Sequence, residues 1–165
     1  MDQTRFDSDI VTTEQLLCDA IEDLGGASTI AREDGPWALI HQRVVDIARK
    51  RFEDGHHADA VESAIKAVVL RVKAAWIATG KPEENGKSLM LSAFSAKNPV
   101  IRVADLSTQS GRDSQEGFMH IFAGAVQAIR NPKAHEFVTI SPERALQYLI
   151  LASILMEKLD EAGAA

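Results

Sequence analysis

With 165 residues and 45% hydrophobic content, the chain is long enough to bury one core without disulfides or metal staples. A net charge of −6, with lysines and arginines scattered and no basic tail, argues against sequence-blind nucleic-acid binding but leaves room for a local site that handles one phosphate. Cys18 is the sole cysteine, which excludes an internal disulfide and a two-thiol zinc or redox site, and no leader-like N-terminus or bilayer-length apolar run is seen. A single soluble domain over 1–165 in the cytoplasm, away from any membrane, is expected.

In chain order, Thr12 or Thr13 can cap a first helix whose stripe is Leu16, Leu17, Ala20, Ile21 and Leu24, stopped by Gly25 and Gly26. A second helix is predicted from Pro36 to about Glu53, with Leu39, Ile40, Val44, Ile47 and Ala48 on one face and Gly55 as its stop. The third, from about Ala58 to Thr79, carries Val61, Ile65, Val68, Val72 and Trp76 at helical spacing. Then comes a polar, turn-rich "GKPEENGKS", a short helix in "LMLSAFS", and "NPVIRVADLSTQSGRD", which reads as an irregular or small hairpin excursion.

The helical period returns from Asp113, with Phe118, Ile121, Phe122, Ala125, Val126 and Ile129 leading into Arg130. Ser141 and Pro142 supply a cap and a first-turn proline for a last helix. Its Leu146, Leu149, Ile150, Ile154 and Leu155 are apolar on most sides, which suits the centre of a core or an oligomer interface. The fold class is therefore all-α, a helical bundle with one short excursion.

The chemistry concentrates in "IRNPKAHEF", residues 129–137. On a straight helix Arg130 and His135 would point roughly 140° apart. Pro132 lacks an N–H and disfavours helical geometry at Asn131, so it breaks or restarts the helix and can swing both side chains toward one cleft. Arginine offers a permanent forked cation for phosphate oxygens, and an imidazole ordinarily titrates near neutrality, at about 6.5. Asn131 can cap the restarted turn or orient a reacting group. Lys133 can steer phosphate or face solvent, and Glu136 can orient His135 or favour the restarted helix.

Arg-x4-His also occurs at Arg51 and His56, where Gly55 makes an ordinary helix end the natural reading. His56, His57 and Asp59 do not read as a metal site, because adjacent histidines do not share a helical face. His120 reads as a packing residue and Tyr148 as a core residue with its hydroxyl at an edge. Gly25-Gly26 lacks the strand and lysine of a phosphate loop.

The run from about Trp37 to Phe137 resembles the Ymh-like family of small bacterial proteins, placed in the HEPN superfamily (higher eukaryotes and prokaryotes nucleotide-binding). The matching pieces are "FEDGHHADAVESAIKAV", "GKSLMLSAFS" and "GFMHIFAGAVQAIRNPKAHE", the last being the most specific through its RNPxAH sequence. The resemblance implies a HEPN-like helical bundle, and a metal-independent, cofactor-free ribonuclease whose Arg-x4-6-His motif lies at a homodimer interface. It also implies a toxin–antitoxin or phage-defence setting, with an antitoxin or regulatory protein as a further partner. Carried over, Arg130 stabilises charge on the phosphate, His135 transfers protons, Asn131 orients, and Lys133 is a candidate substrate contact. RNA would be cleaved by 2′-OH attack to a 2′,3′-cyclic phosphate. The alternative is a non-catalytic HEPN-like module for dimerisation, nucleotide binding or regulation, which the acidic net charge favours.

Overall fold

The computed structural model describes residues 35–130 and 139–164, with Arg130 described by its backbone alone. The expected first helix and Cys18 lie outside the described residues. Contacts divide the chain into two units, Met1–Leu39 and Ile40–Ala165. Of the first, the described part is the 3-10 turn Gly35–Leu39. The second holds α1 (Gln42–Glu53), α2 (His57–Ala78), α3 (Gly86–Ala93), α4 (Gln109–Ala125), a π-helical turn (Val126–Arg130) and α5 (Pro142–Glu161). The all-α expectation holds: no strand occurs among the described residues, so the excursion is irregular and not a hairpin. None of their helices is long and apolar enough to cross a membrane.

The expected second helix is interrupted at Ile40 and His41, and Leu39 is 77% exposed instead of lying on a buried face. His41 has extended backbone and is the N-cap of α1, its Nδ1 accepting from the Arg43 N–H at 3.1 Å. A helix running through from Pro36 would lose that cap. The third helix falls where its periodicity places it, and Val61, Ile65, Val68, Val72 and Trp76 are all buried. Ala60, Ala64 and Val69 are buried too, so α2 hides nearly two faces. It packs against α1 and α5 on the one hand, and against α3 and the π turn on the other.

Trp76 orders the loop after α2. Its Nε1 donates to the Pro82 carbonyl at 2.8 Å, and Lys81 lies 4.4 Å over its ring. The excursion after α3 is tied down by Gln115 of α4, which is fully buried. Its Oε1 accepts from the Val103 N–H at 2.8 Å, and its Nε2 donates to the carbonyls of Phe94 and Ile101 at 2.8 and 2.9 Å. Phe94 stacks on Phe122 with ring centroids 4.3 Å apart. Helix α4 starts at Gln109, earlier than the apolar period indicates, because Thr108 caps it by accepting from the Gly111 N–H at 3.0 Å. Gly111 is obligatory there, since a Cβ would sit 1.7 Å from the Asp105 carbonyl oxygen.

The ends of the second unit meet at a polar clamp. Arg71 of α2, nearly buried, donates through Nε and Nη2 to the Ala164 carbonyl at 2.8 and 2.5 Å, and its Nη2 lies 2.6 Å from Asp160 Oδ1. The other carboxylate oxygen accepts from His41 Nε2 at 2.8 Å; Nε2 is the protonated nitrogen because Nδ1 is an acceptor. The His41 N–H donates to Ser153 Oγ at 2.7 Å, and Ser153 donates to Glu157. The hydrogen bond from His41, then that from Arg71, holds the Asp160 carboxyl below its usual value.

Two outcomes are expected. Replacing Gln115 by Leu keeps the volume but strips partners from three backbone groups, two of them buried, so urea unfolding should register a loss of about 3 kcal/mol; a loss under ~1 kcal/mol would mean that the excursion does not depend on this side chain. For Asp160, the folded state binds its proton less tightly than the unfolded state. Its contribution is therefore present above the ordinary carboxylate range and is lost as pH falls through the lower folded value. Asp160→Asn should flatten the acid limb of the stability curve below about pH 4 and leave its shape near neutrality unchanged.

Candidate functional site

The end of α4 is not plain α-helix. After Ala125 the backbone widens into a π turn, Val126–Arg130, which packs against α2, α3 and α4 and buries Val126. π turns inside α-helices recur at functional sites, because the inserted residue re-aims the side chains beyond it. This one reaches Arg130, which stands two residues before Pro132 in the sequence. The Arg130 side chain, Asn131, Lys133, His135 and Glu136 lie outside the described residues.

Both described flanks of that segment lie along α2. The π turn packs on it directly. On the other side, Ser141 caps α5 by accepting from the Arg144 N–H at 3.3 Å, with Pro142 in the first turn as expected. Hydrogen bonding to Ser141, and more weakly the charge of His57, lowers the Glu143 carboxyl below its usual range. The start of α5 is thus within electrostatic reach of the start of α2.

Of the stripe leading to the motif, Phe122, Ala125 and Val126 are buried, but Ile121 is 46% exposed. The reason is that α4 turns Gln115 and Phe122 toward the excursion, which leaves the row Gly117, Ile121 and Gly124 facing outward. His120 stands on the same outer side, its side chain 63% exposed and 3.9 Å from Glu116, so it is not the packing residue its position suggested. On α5, Leu149 and Leu155 are core while Ile150 and Ile154 are 39% and 46% exposed, and Tyr148 is half-buried.

The second Arg-x4-His pair is fully described, and the helix-end reading holds. The His56 N–H donates to the Arg51 carbonyl at 2.8 Å and the Gly55 N–H to the Phe52 carbonyl at 3.0 Å, with Gly55 at φ +84°. This is a Schellman turn, which sets residues five apart side by side. Arg51 and His56 consequently line one cleft of about 340 Å³ with Asp59, Glu62, Ser63 and Lys66 of α2. The last four recur at helical i, i+3, i+4 and i+7 positions, a signal open to inspection in the sequence but masked by their ordinary surface character. His57 instead turns toward Phe52, ring centroids 4.9 Å apart. Among the described residues, no three His, Cys, Asp or Glu side chains are grouped to hold a metal ion.

No curated protein and no solved structure matches the chain. A family model does, over residues 38–159, a span that takes in the described unit from α1 to α5 together with the Arg130–His135 segment. The chain belongs to the family described as "Protein of unknown function (Hypoth_ymh)".

Proposed function

We propose that this protein is a cytoplasmic, metal-independent RNA endonuclease of HEPN type that acts as a homodimer in a bacterial toxin or phage-defence role. The observation that carries the reading is the sequence Arg130-Asn131-Pro132-Lys133-Ala134-His135 at the exit of a π turn, within the segment that matches the family. In the reaction, one His135 takes the proton of the ribose 2′-OH while that oxygen attacks phosphorus. The P–O5′ bond breaks, and a second His135, protonated, gives its proton to the leaving 5′ oxygen. The products are a 2′,3′-cyclic phosphate and a 5′-hydroxyl, with no net gain or loss of protons. Arg130 offsets the charge gathering on the phosphoryl oxygens, Asn131 orients, and Lys133 contacts the substrate phosphate.

A dimer supplies the second histidine, and the outer row of α4 supports one. Gly117 and Gly124 are exposed mid-helix, and a Cβ at either would meet nothing within 4 Å, so the isolated chain has no packing need for them. Each costs roughly 0.5–1 kcal/mol relative to alanine. A second α4 crossing closely at these glycines, with Ile121 between them, gives them a use and brings two motif-bearing ends together. Ile150 and Ile154 of α5 are exposed as well, and Lys158 of α5 lies 4.8 Å over the Phe118 ring of α4. The net charge of −6 favours a second reading, a dimeric module that binds nucleotide or a regulatory protein without cleaving.

Cleavage of total RNA by the purified protein should persist in EDTA, leave 2′,3′-cyclic ends, spare DNA, and vanish in His135→Ala. The rate should fall on both sides of an optimum near neutrality, because the dimer needs one neutral and one protonated imidazole. Chelator-sensitive activity that rises steadily with pH would assign the chemistry to a metal-bound hydroxide instead. For the dimer, Gly124→Ala should stabilise the fold by about 0.5 kcal/mol or more, while Gly117→Leu combined with Gly124→Leu should convert dimer to monomer in light scattering. A double variant that remains dimeric would exclude this face.

A further inference from the structure

The two bonds made by the His41 ring are open only to a neutral imidazole. Nδ1 accepts from the Arg43 N–H at 3.1 Å and so caps α1, while Nε2 donates to Asp160 Oδ2 at 2.8 Å. An imidazolium carries a proton on both nitrogens and can only donate. Protonation therefore turns two N–H groups, one of the ring and one of the backbone, against each other across the cap. It also sets a cation at a helix N-terminus, where the helix dipole opposes it. One of the two attachments has to give.

The charged groups around the ring decide which. From α5, Asp160 holds Nε2, and Glu157 stands one hydrogen bond further off, through the Ser153 hydroxyl that accepts from the His41 N–H. From α2, Arg71 lies 2.6 Å from the other Asp160 oxygen; its side chain is 9% exposed and tied to the Ala164 carbonyl. From α1, the exposed Arg43 adds a second cation beside the cap. The carboxylate is thus fixed in place and attracts a charged ring, whereas the Arg43 N–H lies in the first turn and has no helical carbonyl behind it. We infer that His41 is a pH-operated latch on the start of α1: the neutral ring joins α1 to α5, and the protonated ring stays with Asp160 and releases the Arg43 N–H. The His41 carbonyl still accepts from the N–H groups of Val44 and Val45 at 2.8 and 3.1 Å, which confines the release to the helix tip. Arg43, at that tip, lines a concavity of about 480 Å³ with Asp46, Leu70 and Met156, so acid alters one of its walls. The latch uses no residue of the Arg130–His135 motif and stands apart from the proposed cleavage.

The test is NMR of the ¹⁵N-labelled full-length protein between about pH 7.5 and about pH 5.5, a range across which a free imidazole changes charge. At the upper end the ring ¹⁵N shifts of His41 should place the proton on Nε2. On acidification the Arg43 amide should lose protection from solvent exchange about fivefold to tenfold, the worth of an N-cap. The Arg144 amide, capped by the Ser141 hydroxyl, which does not titrate, should keep its protection and is the matched control. His41→Asn supplies a cap without a titrating group and should make the protection of Arg43 independent of pH. A proton on Nδ1 at the upper pH, Arg43 protection unchanged at the lower, or a loss that persists in His41→Asn would overturn the inference. The first two readouts come from the unaltered chain and do not depend on how the variant folds.

Discussion

Everything in the described unit is arranged around the need of α2 to be covered on two sides. A helix with Ala60, Ala64, Val68 and Val72 together with Val61, Ile65, Val69 and Trp76 buried cannot be satisfied by one neighbour. At about 25 cal/mol per Å² of apolar surface, exposing either row would forfeit an amount comparable with the marginal stability of a domain this size. So α1 and α5 close one side, and α3 with the π turn closes the other. The end of α4 that leads into Arg130 is placed by this demand, because Val126 of the π turn belongs to the cover.

Apolar covering fixes which helices meet, and polar side chains fix where the irregular chain goes. Gln115 substitutes for a missing strand partner by satisfying three backbone groups, two of which would otherwise be buried alone. Arg71 does the same just past the C-terminal end of α5, where it donates twice to the carbonyl of Ala164. Both act over short distances on backbone atoms, and neither could be replaced by a better-packed apolar residue without orphaning those atoms.

The helices are legible where composition states their period and their ends. Val61 to Trp76 and the Ser141-Pro142 start need only periodicity and capping chemistry. Legibility fails where a polar tertiary contact overrides a local pattern: His41 breaks a helix that Leu39 and Ile40 would continue, and Gln115, a residue type usually found on surfaces, proves to be core. Ile121 departs from its expected burial for a related reason, since a helical wheel shows which residues share a face but not which face the rest of the chain needs. The π turn has no propensity signature at all. Of the candidate site, the sequence supplied the residue types of Arg130 to His135, and the structure added the backbone that delivers the first of them.

The Schellman turn at Gly55 has a bearing on how short catalytic patterns are recognised. Its hydrogen bonds oblige the third residue from a helix end and the second beyond it to lie together, an offset of five. Any helix that finishes on arginine, crosses a glycine in left-handed backbone and resumes on histidine will therefore spell Arg-x4-His for reasons of chain reversal alone. Around Arg130 the same offset is spanned by a proline, a residue that cannot enter that left-handed conformation. A pattern that treats the four middle positions as blanks discards the glycine of the one and the proline of the other, the residues that most constrain a backbone.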